Sequence, residues 1–356
     1  MEQPAWSSDR DFPADPYPGA APPWSFVHLD ERSHRLRPDA AALAGWSVGA
    51  RDLDGWLAER GQAPAAERLP ILTYGSNRCP SKITWLRREL GLPGAVVVLR
   101  ARTHGLAAVW AAGLRLRDGQ RPAVLAAAPG VVEQHSVWLA TPEQVSVLDH
   151  CEGRDERYRL ARLHTGEVQT EDGAMIRSPW CYLGYGDIRR PLLVDGSPVR
   201  CADVDEGTAL ALRGQPAQHD GLDATATIGA PPAAEWPASL FVYGLLQPGE
   251  SAWSRVADFV DGTPTRARLP GTVLDTGLGW PALRLGEGPG SPGWVLPLCD
   301  PAALFPELDA FEGPGYRRVR VVVPDTGEVC WAYATVTPTD GLRPLPDGWP
   351  PPELRR

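Results

Sequence analysis

The sequence predicts two domains that mix short strands with a few helices, an α+β arrangement, related to each other by internal duplication. Three observations carry that expectation. The 356 residues exceed one ordinary core and suit two, since single domains cluster near about 100–200 residues. The 38 prolines and 37 glycines require many turns and leave little room for long helices. An apolar run ending in Tyr-Gly, followed later by a helix-like stretch ending in Leu-Asp-x-x-Glu-Gly, occurs twice in the same order, as a duplicated unit would.

Taken in order, residues 1–36 are proline-rich, carry Trp6 and Trp24 and have no period. They read as an extended, partly disordered arm whose tryptophans can dock on the body. In 38–60, Leu43, Trp46, Leu53, Trp56 and Leu57 are spaced roughly as one helix face, which predicts a short amphipathic helix or a helical pair. Arm and helical segment together occupy 1–66. The first domain is expected over 67–204. It opens with a strand at 70–74 and a turn at Tyr74. Pro80 then starts a helix through SKITWLRREL that Gly91 closes, with proline at the N-terminus and glycine at the C-terminus. AVVVLRARTHGLAAVW and HSVWLA are valine-rich, partly alternating strands. Thr141 is a natural N-cap for TPEQVSVLDHCEG, with Gly153 as its stop. Strands at YRLARLHT and SPWCYLGY complete the domain.

Residues 205–237 turn small, polar and proline-rich and are expected to be a linker. The second domain, 238–345, repeats the plan in smaller form. A strand at 239–243 leads to a turn, AWSRVADFV forms a short helix, and GTVLD and WVLPL form strands. PAALFPELDAFEG is a helix closed by Gly313, and YRRVRVVV and CWAYATV follow as strands. Gly286-Glu287-Gly288-Pro289-Gly290 lacks a strand-to-helix context and reads as a hairpin loop. Residues 346–356 form a tail.

Composition excludes several functional classes. Net charge is −9 with no Lys/Arg-rich run, which disfavours nucleic acid and anionic membranes as partners. The six cysteines are scattered without a C-x-x-C pair, against both a disulfide framework and a zinc site. His104, His135, His164 and His219 have no ligand spacing. The opening MEQPAWSSDRDFPADP has no basic or apolar signal region, and no later stretch is apolar for 18 residues, so a cytoplasmic protein is expected.

The chemistry sits in the two repeated stretches. Tyr74-Gly75-Ser76-Asn77 and Tyr243-Gly244-Leu245-Leu246 each break a strand at glycine. Backbone N–H groups at such a turn can converge on an anion, and a missing Cβ allows close approach; a plain turn is the simpler reading of either copy alone. The second stretch is Leu148-Asp149-His150-Cys151-Glu152-Gly153, against Leu308-Asp309-Ala310-Phe311-Glu312-Gly313, with Tyr158 and Tyr316 following. A carboxylate at a helix C-terminus faces the negative end of the dipole, and apolar walls would add to the rise in its pKa. Such a glutamate serves as a general acid/base near neutrality. One copy could be an ordinary helix end; two copies, each behind a Tyr-Gly turn, favour a site. Cys151 reads as a core thiol, because on a helix His150, Cys151 and Glu152 cannot all face one cavity. Cys79 reads as accessible and without a clear base.

These residues resemble the γ-glutamylcyclotransferase family. The first half carries Tyr74 to Asn77, V-W-L-A-T-P-E-Q, Glu152 and Tyr158. The second, with F-V-Y-G-L-L-Q-P-G, Gly279 to Leu283 and Glu312, is similar to the γ-glutamylamine cyclotransferase and AIG2-like branch. The resemblance covers roughly 68–200 and 238–337. It implies tandem domains, each a small mixed β-barrel with flanking helices, in which the turn (Tyr74, Gly75, Ser76, Asn77; Tyr243, Gly244, Leu245, Leu246) binds substrate with Tyr158 or Tyr316. It also implies Glu152 and Glu312 as catalytic residues, no metal and no organic cofactor. The implied reaction releases 5-oxoproline from a small γ-glutamyl amide or amine. A non-catalytic ligand-binding or interaction protein on the same duplicated fold is the alternative. Arg78 departs from the apolar residue usual after the turn and is expected to line or plug the first cavity. Leu245 and Leu246 replace a more polar small residue, and the glutamate-to-tyrosine spacing differs, so the two pockets are expected to accept different substrates.

Overall fold

The structure, a computed structural model, describes residues 6–288, 290–351 and 353. Residues 1–5 of the expected arm, Pro289 of the glycine-rich loop and residues 352 and 354–356 of the expected tail lie outside them. The chain forms two compact units. One comprises 1–36, 68–171 and 176–231, and the other 37–67, 172–175 and 232–356.

In the first unit the central strand is Leu69–Thr73, buried along its whole length. It has to be apolar on both faces because strands flank it on both sides and the core covers it. It pairs antiparallel with Ala123–Ala140 and parallel with Trp180–Gly184. Within a larger sheet, five neighbouring strands run in the order Tyr158–Leu163, Trp180–Gly184, Leu69–Thr73, Ala123–Ala140, Val96–Trp110. Gly105, at φ 77°, marks a register shift between the two long strands, where a residue with a Cβ would be strained. Helix Pro80–Leu90 starts on its proline and ends at Gly91, φ 68°. Helix Pro142–Glu152 begins with a capping box between Thr141 and Gln144 and ends at Gly153, φ 62°. These ends follow from proline lacking a donor where none is needed and glycine tolerating the left-handed cap. Trp110, Trp138 and Trp180 are fully buried.

The second unit repeats that sheet. Its order is Tyr316–Val323, Glu328–Thr335, Ser239–Val242, Ser291–Pro297, Thr265–Leu269. Here too the central strand is antiparallel to one neighbour and parallel to the other, through Leu240 and Trp331. Alternation along the strand divides two cores. Phe241 and Tyr243 pack with Leu283, Val295 and Val319 on one face. Leu240 and Val242 pack with Leu304, Phe305 and Trp331 of the other, beneath helix Pro301–Glu312, as a period of two demands. Pro281–Arg284, Thr272–Asp275 and Arg343–Pro344 form a separate three-stranded sheet.

Residues 37–67 are tied into this second unit by polar contacts. Asp54 accepts the Ala65 N–H at 2.7 Å. Arg320 of Tyr316–Val323 donates to the carbonyls of Ala65 (3.0 Å), Ala66 (3.1 Å) and Ala233 (3.2 Å), and its guanidinium lies over the rings of Trp236 and Trp331.

Several expectations change. The fold mixes sheets with few helices, but the described strands close no barrel. The helix expected over 38–60 is only Leu53–Ala58, because Gly45 and Gly49 turn the chain with positive φ and Trp46–Val48 pairs with Arg51–Asp52 as a hairpin. Residues 6–36 are built into the first unit: Trp6–Ser8 and Phe26–Leu29 both pair with Arg32–Pro38, and Phe26–Leu29 pairs with Val96–Val98. The 205–237 stretch contains helix Glu206–Ala211, capped by Asp205, and strand Ala224–Ala226, paired on Tyr158–Leu163. AWSRVADFV forms two 3-10 turns, Trp253–Arg255 and Ala257–Phe259. The glycine-rich loop is not a hairpin, since Pro281–Arg284 and Ser291–Pro297 pair in different sheets. Cys79 is wholly buried, its Sγ against the carbonyl of Phe12 at 3.3 Å.

Candidate active site

Each unit holds a cavity where its Tyr-Gly turn meets the end of its helix. In the first unit a cavity of 480 Å³ is lined by Tyr74, Gly75, Ser76, Asn77, Glu152 and Tyr158. In the second, one of 510 Å³ is lined by Tyr243, Gly244, Leu245, Leu246, Glu312 and Tyr316. All twelve candidate residues thus lie in two groups of six. The grouping follows from the sheet, in which the strand that ends in Tyr-Gly sits beside the later strand of the antiparallel pair that follows the helix.

The same hydrogen bonds build both sites. Tyr74 donates to the Tyr182 carbonyl at 2.6 Å, and the Tyr182 hydroxyl donates to Asp149 at 2.6 Å. Tyr243 donates to the Tyr333 carbonyl at 2.8 Å, and Tyr333 to Asp309 at 2.7 Å. Asp149 and Asp309 are held in turn by Arg154 (3.1 Å) and Arg318 (2.9 Å). Tyr158 and Tyr316 donate to the carbonyls of Ala123 (3.1 Å) and Pro281 (2.9 Å). In both units the turn tyrosine and the later tyrosine are therefore frame members, their hydroxyls engaged by backbone.

The glutamates differ in surroundings. Glu152 accepts from Asn77 Nδ2 at 2.8 Å, and burial pushes its pKa up, opposed by Asn77 and by Lys82, Arg157 and Arg115. Asn77 corresponds in the second turn to Leu246, which has no donor. With burial acting alone, Glu312 is pushed up to about 7. The walls follow the same division. Among the described residues, Lys82, Arg115, Arg117, Arg157 and Arg189 line the first cavity against Glu152 and Glu156, and in the second Glu312 is the one charged lining residue, among Phe241, Leu278, Trp280, Pro281 and Phe311. Leu278, Trp280 and Phe311 are exposed.

The glycines of the turns face protein neighbours at close range. A Cβ on Gly75 would stand 3.1 Å from the Tyr17 hydroxyl, and one on Gly244 would stand 2.8 Å from Cγ of Pro281. The Pro281 ring cannot rotate away, so Gly244→Ala is expected to lower second-unit stability by about 1–3 kcal/mol, read as an earlier urea unfolding midpoint with an unchanged slope. An unaltered midpoint would mean that the turn relaxes freely.

Arg78 does not plug the first cavity. Its Nη1 donates to the Gln134 carbonyl at 2.8 Å, and it is absent from the lining. Cys151 lines the cavity with Glu152, its Sγ 3.7 Å from Lys82 Nζ, so the expectation of a core thiol there is corrected; burial raises its pKa to about 11. His150 does not line it. The residues that the sequence reading missed are Tyr17, the five cations, Trp280 and Tyr333. Tyr17 accepts the Ala123 N–H at 3.0 Å and rests beside Trp110, with ring centroids 6.0 Å apart. Only Gly279 to Leu283 carried a signal, as a noted segment of the second half.

Comparison with known proteins places one part of the chain. Residues 240–350 match the family model described as gamma-glutamyl cyclotransferase, AIG2-like. No curated protein matches the chain. Similar solved structures include an AIG2-like protein from Mus musculus, at 23% identity over 31% of this chain and 86% of that one, TM-score 0.26. A gamma-glutamyl cyclotransferase is 19% identical over 34% of this chain and 68% of its own, TM-score 0.28. YkqA from Bacillus subtilis is 13% identical over 76% and 84%, TM-score 0.23. No helix among the described residues is long and apolar enough to cross a membrane.

Proposed function

We propose that the chain is a tandem γ-glutamyl cyclotransferase-like enzyme, one site per unit, releasing 5-oxoproline from small γ-glutamyl amides or amines. The observation that carries this reading is the pairing, in each unit, of a glutamate at the last position of a helix with a Tyr-Gly turn in one cavity. Two further facts support it: the family match over 240–350 and the identical strand order and tyrosine–aspartate hydrogen bonds of the two units.

In this reading the ionised glutamate takes a proton from the substrate's α-ammonium group. The freed nitrogen attacks the γ-carbonyl of the same molecule, forming a C–N bond and an anionic tetrahedral centre. N–H groups at the start of the turn stabilise that anion. The glutamate then returns its proton to the departing nitrogen as the old C–N bond breaks, and the surplus proton on the ring nitrogen passes to the released amine, leaving 5-oxoproline and the amine in its ammonium form. Closing a five-membered ring within one molecule requires no external nucleophile, so positioning and one carboxylate suffice. A raised pKa suits Glu312 to both halves of that exchange at neutral pH. The apolar walls of the second cavity suit an amine half without charge, and the cationic walls of the first suit a different one.

The direct test is 5-oxoproline release from a panel of γ-glutamyl compounds whose amine halves range from apolar to anionic. Turnover of the apolar members is expected through the second site. A panel in which no member yields 5-oxoproline, although ligands bind and are recovered unchanged, would point to a binding protein instead.

A further inference from the structure

Arg189 stands apart from the other arginines of the first cavity. Arg115 and Arg117 pair with Asp118, and Arg157 donates to the carbonyls of Cys151 and Glu152 at the end of the helix. Arg189 is 4% exposed and lines the cavity. Among the described residues its side chain makes one hydrogen bond, a 3.5 Å contact from Nη1 to the Ile188 carbonyl, while its Nε has no partner. Its guanidinium lies 5.8 Å from the centre of the Tyr158 ring. A guanidinium stays charged, and a charge withdrawn from water without a counter-charge costs several kcal/mol. The cavity therefore contains a preplaced cation with unspent donors.

The backbone around it is fixed. Gly113 N–H donates to the Ile188 carbonyl at 2.9 Å, Ala112 N–H to the Arg190 carbonyl at 2.8 Å, and Arg189 N–H to Gly186 at 3.1 Å. Gly184 lies so close that any Cβ there would collide with the Arg189 carbonyl. A planar fork held this way is suited to a carboxylate. Among the described residues the second cavity has no cation in its lining, yet the proposed reaction requires the same γ-glutamyl end in both. A cation found in only one cavity reads the part of the ligand that differs.

We propose that Arg189 is the specificity-determining residue of the first cavity, its guanidinium pairing with a carboxylate on the amine half of the bound γ-glutamyl compound. This rests on the functional reading above. The test measures binding in the Glu152→Gln/Glu312→Gln background by calorimetry, so that turnover does not interfere. The probes are γ-glutamylglycine, γ-glutamylglycinamide and the α-carboxamide of γ-glutamylglycine. γ-Glutamylglycine is expected to bind about 10–100-fold more tightly than the glycinamide, with Arg189→Met abolishing that preference and Arg189→Lys keeping part of it. An unchanged preference in Arg189→Met, dependence on the α-carboxylate instead, or no binding of any probe would each overturn the assignment. Should Arg189→Met fail to fold by circular dichroism, Arg189→Lys decides: affinities equal to the parent's for all three probes overturn it. Arg189-dependent binding without 5-oxoproline release by the parent chain would sink only the catalytic reading. Release indifferent to Arg189 would sink only this one.

Discussion

Glu152→Gln and Glu312→Gln are each expected to lower 5-oxoproline release by about 10²–10⁴-fold, on different substrates. Glu312→Gln should remove turnover of apolar γ-glutamyl amines, Glu152→Gln that of the compounds taken by the cationic cavity, and the double variant should be silent. The substitution keeps side-chain shape and deletes only the base. In the first unit it also leaves an amide oxygen to accept from Asn77, now 2.8 Å from Glu152, so the cavity keeps its frame. Single-turnover assays on the two substrate classes separate the sites. Loss of both activities in either single variant would mean that the cavities do not work independently, and undiminished release in the double variant would remove glutamate as the base.

Turnover by the second site is expected to fall about 100-fold from its plateau as pH drops to 5. The base must be ionised to take the α-ammonium proton, and with Glu312 at about 7 only about 1% carries charge at that pH. Stability moves in the opposite sense. An unfolded glutamate ionises near 4.3, so between that pH and about 7 the folded chain holds a proton that the unfolded chain has released. Stability contributed by the neutral carboxyl is full below the unfolded value and is lost as pH rises through the folded one. The loss is about 1–3 kcal/mol, after allowance for a carboxyl only partly withdrawn from water. Glu312→Gln is expected to cancel it, so urea unfolding of wild type and variant should differ more at pH 8 than at pH 5. A flat pH–rate profile together with a pH-independent stability difference would mean that Glu312 ionises like a surface glutamate.

Much of the frame was legible in sequence because its signals are local. Pro80 and Gly91, Thr141 and Gly153, and Pro301 and Gly313 bracket the three longest described helices, the prolines and glycines through their backbones and Thr141 through its hydroxyl. The two glutamates and two turns were legible because they recur together. Arg189 and Tyr17 carry no such mark. Arg189 gains its meaning from having no carboxylate partner among the described residues after folding, which no spacing encodes, and Tyr17 enters the site through Ala123, to which nothing in the proline-rich arm points. The stretch after 204 misled because its small polar residues suit a loose segment, whereas the strand Ala224–Ala226 is held by pairing on Tyr158–Leu163, a contact visible only in three dimensions. Residues 38–60 misled in the opposite way: the apolar spacing fits a helix face, but positive-φ glycines interrupt it.

The interleaving of the two units along the chain has a consequence for biosynthesis. Residues 37–67 belong with 232–356, yet the segment 68–171 that supplies most of the other unit lies between them. On the ribosome they emerge early and wait while residues 68–231 are made, roughly 10–30 s at the usual pace of elongation. Through that interval the acceptors for Arg320 at Ala65 and Ala66 are without their donor, and the apolar side chains of Leu53, Trp56 and Leu57, buried at the end, are open to chaperones. The second unit is therefore completed only after the first, by capture of a segment translated before it, and a gene cut at the boundary near residue 231 would keep all of the first unit's residues on one fragment but separate the second from its 37–67 segment.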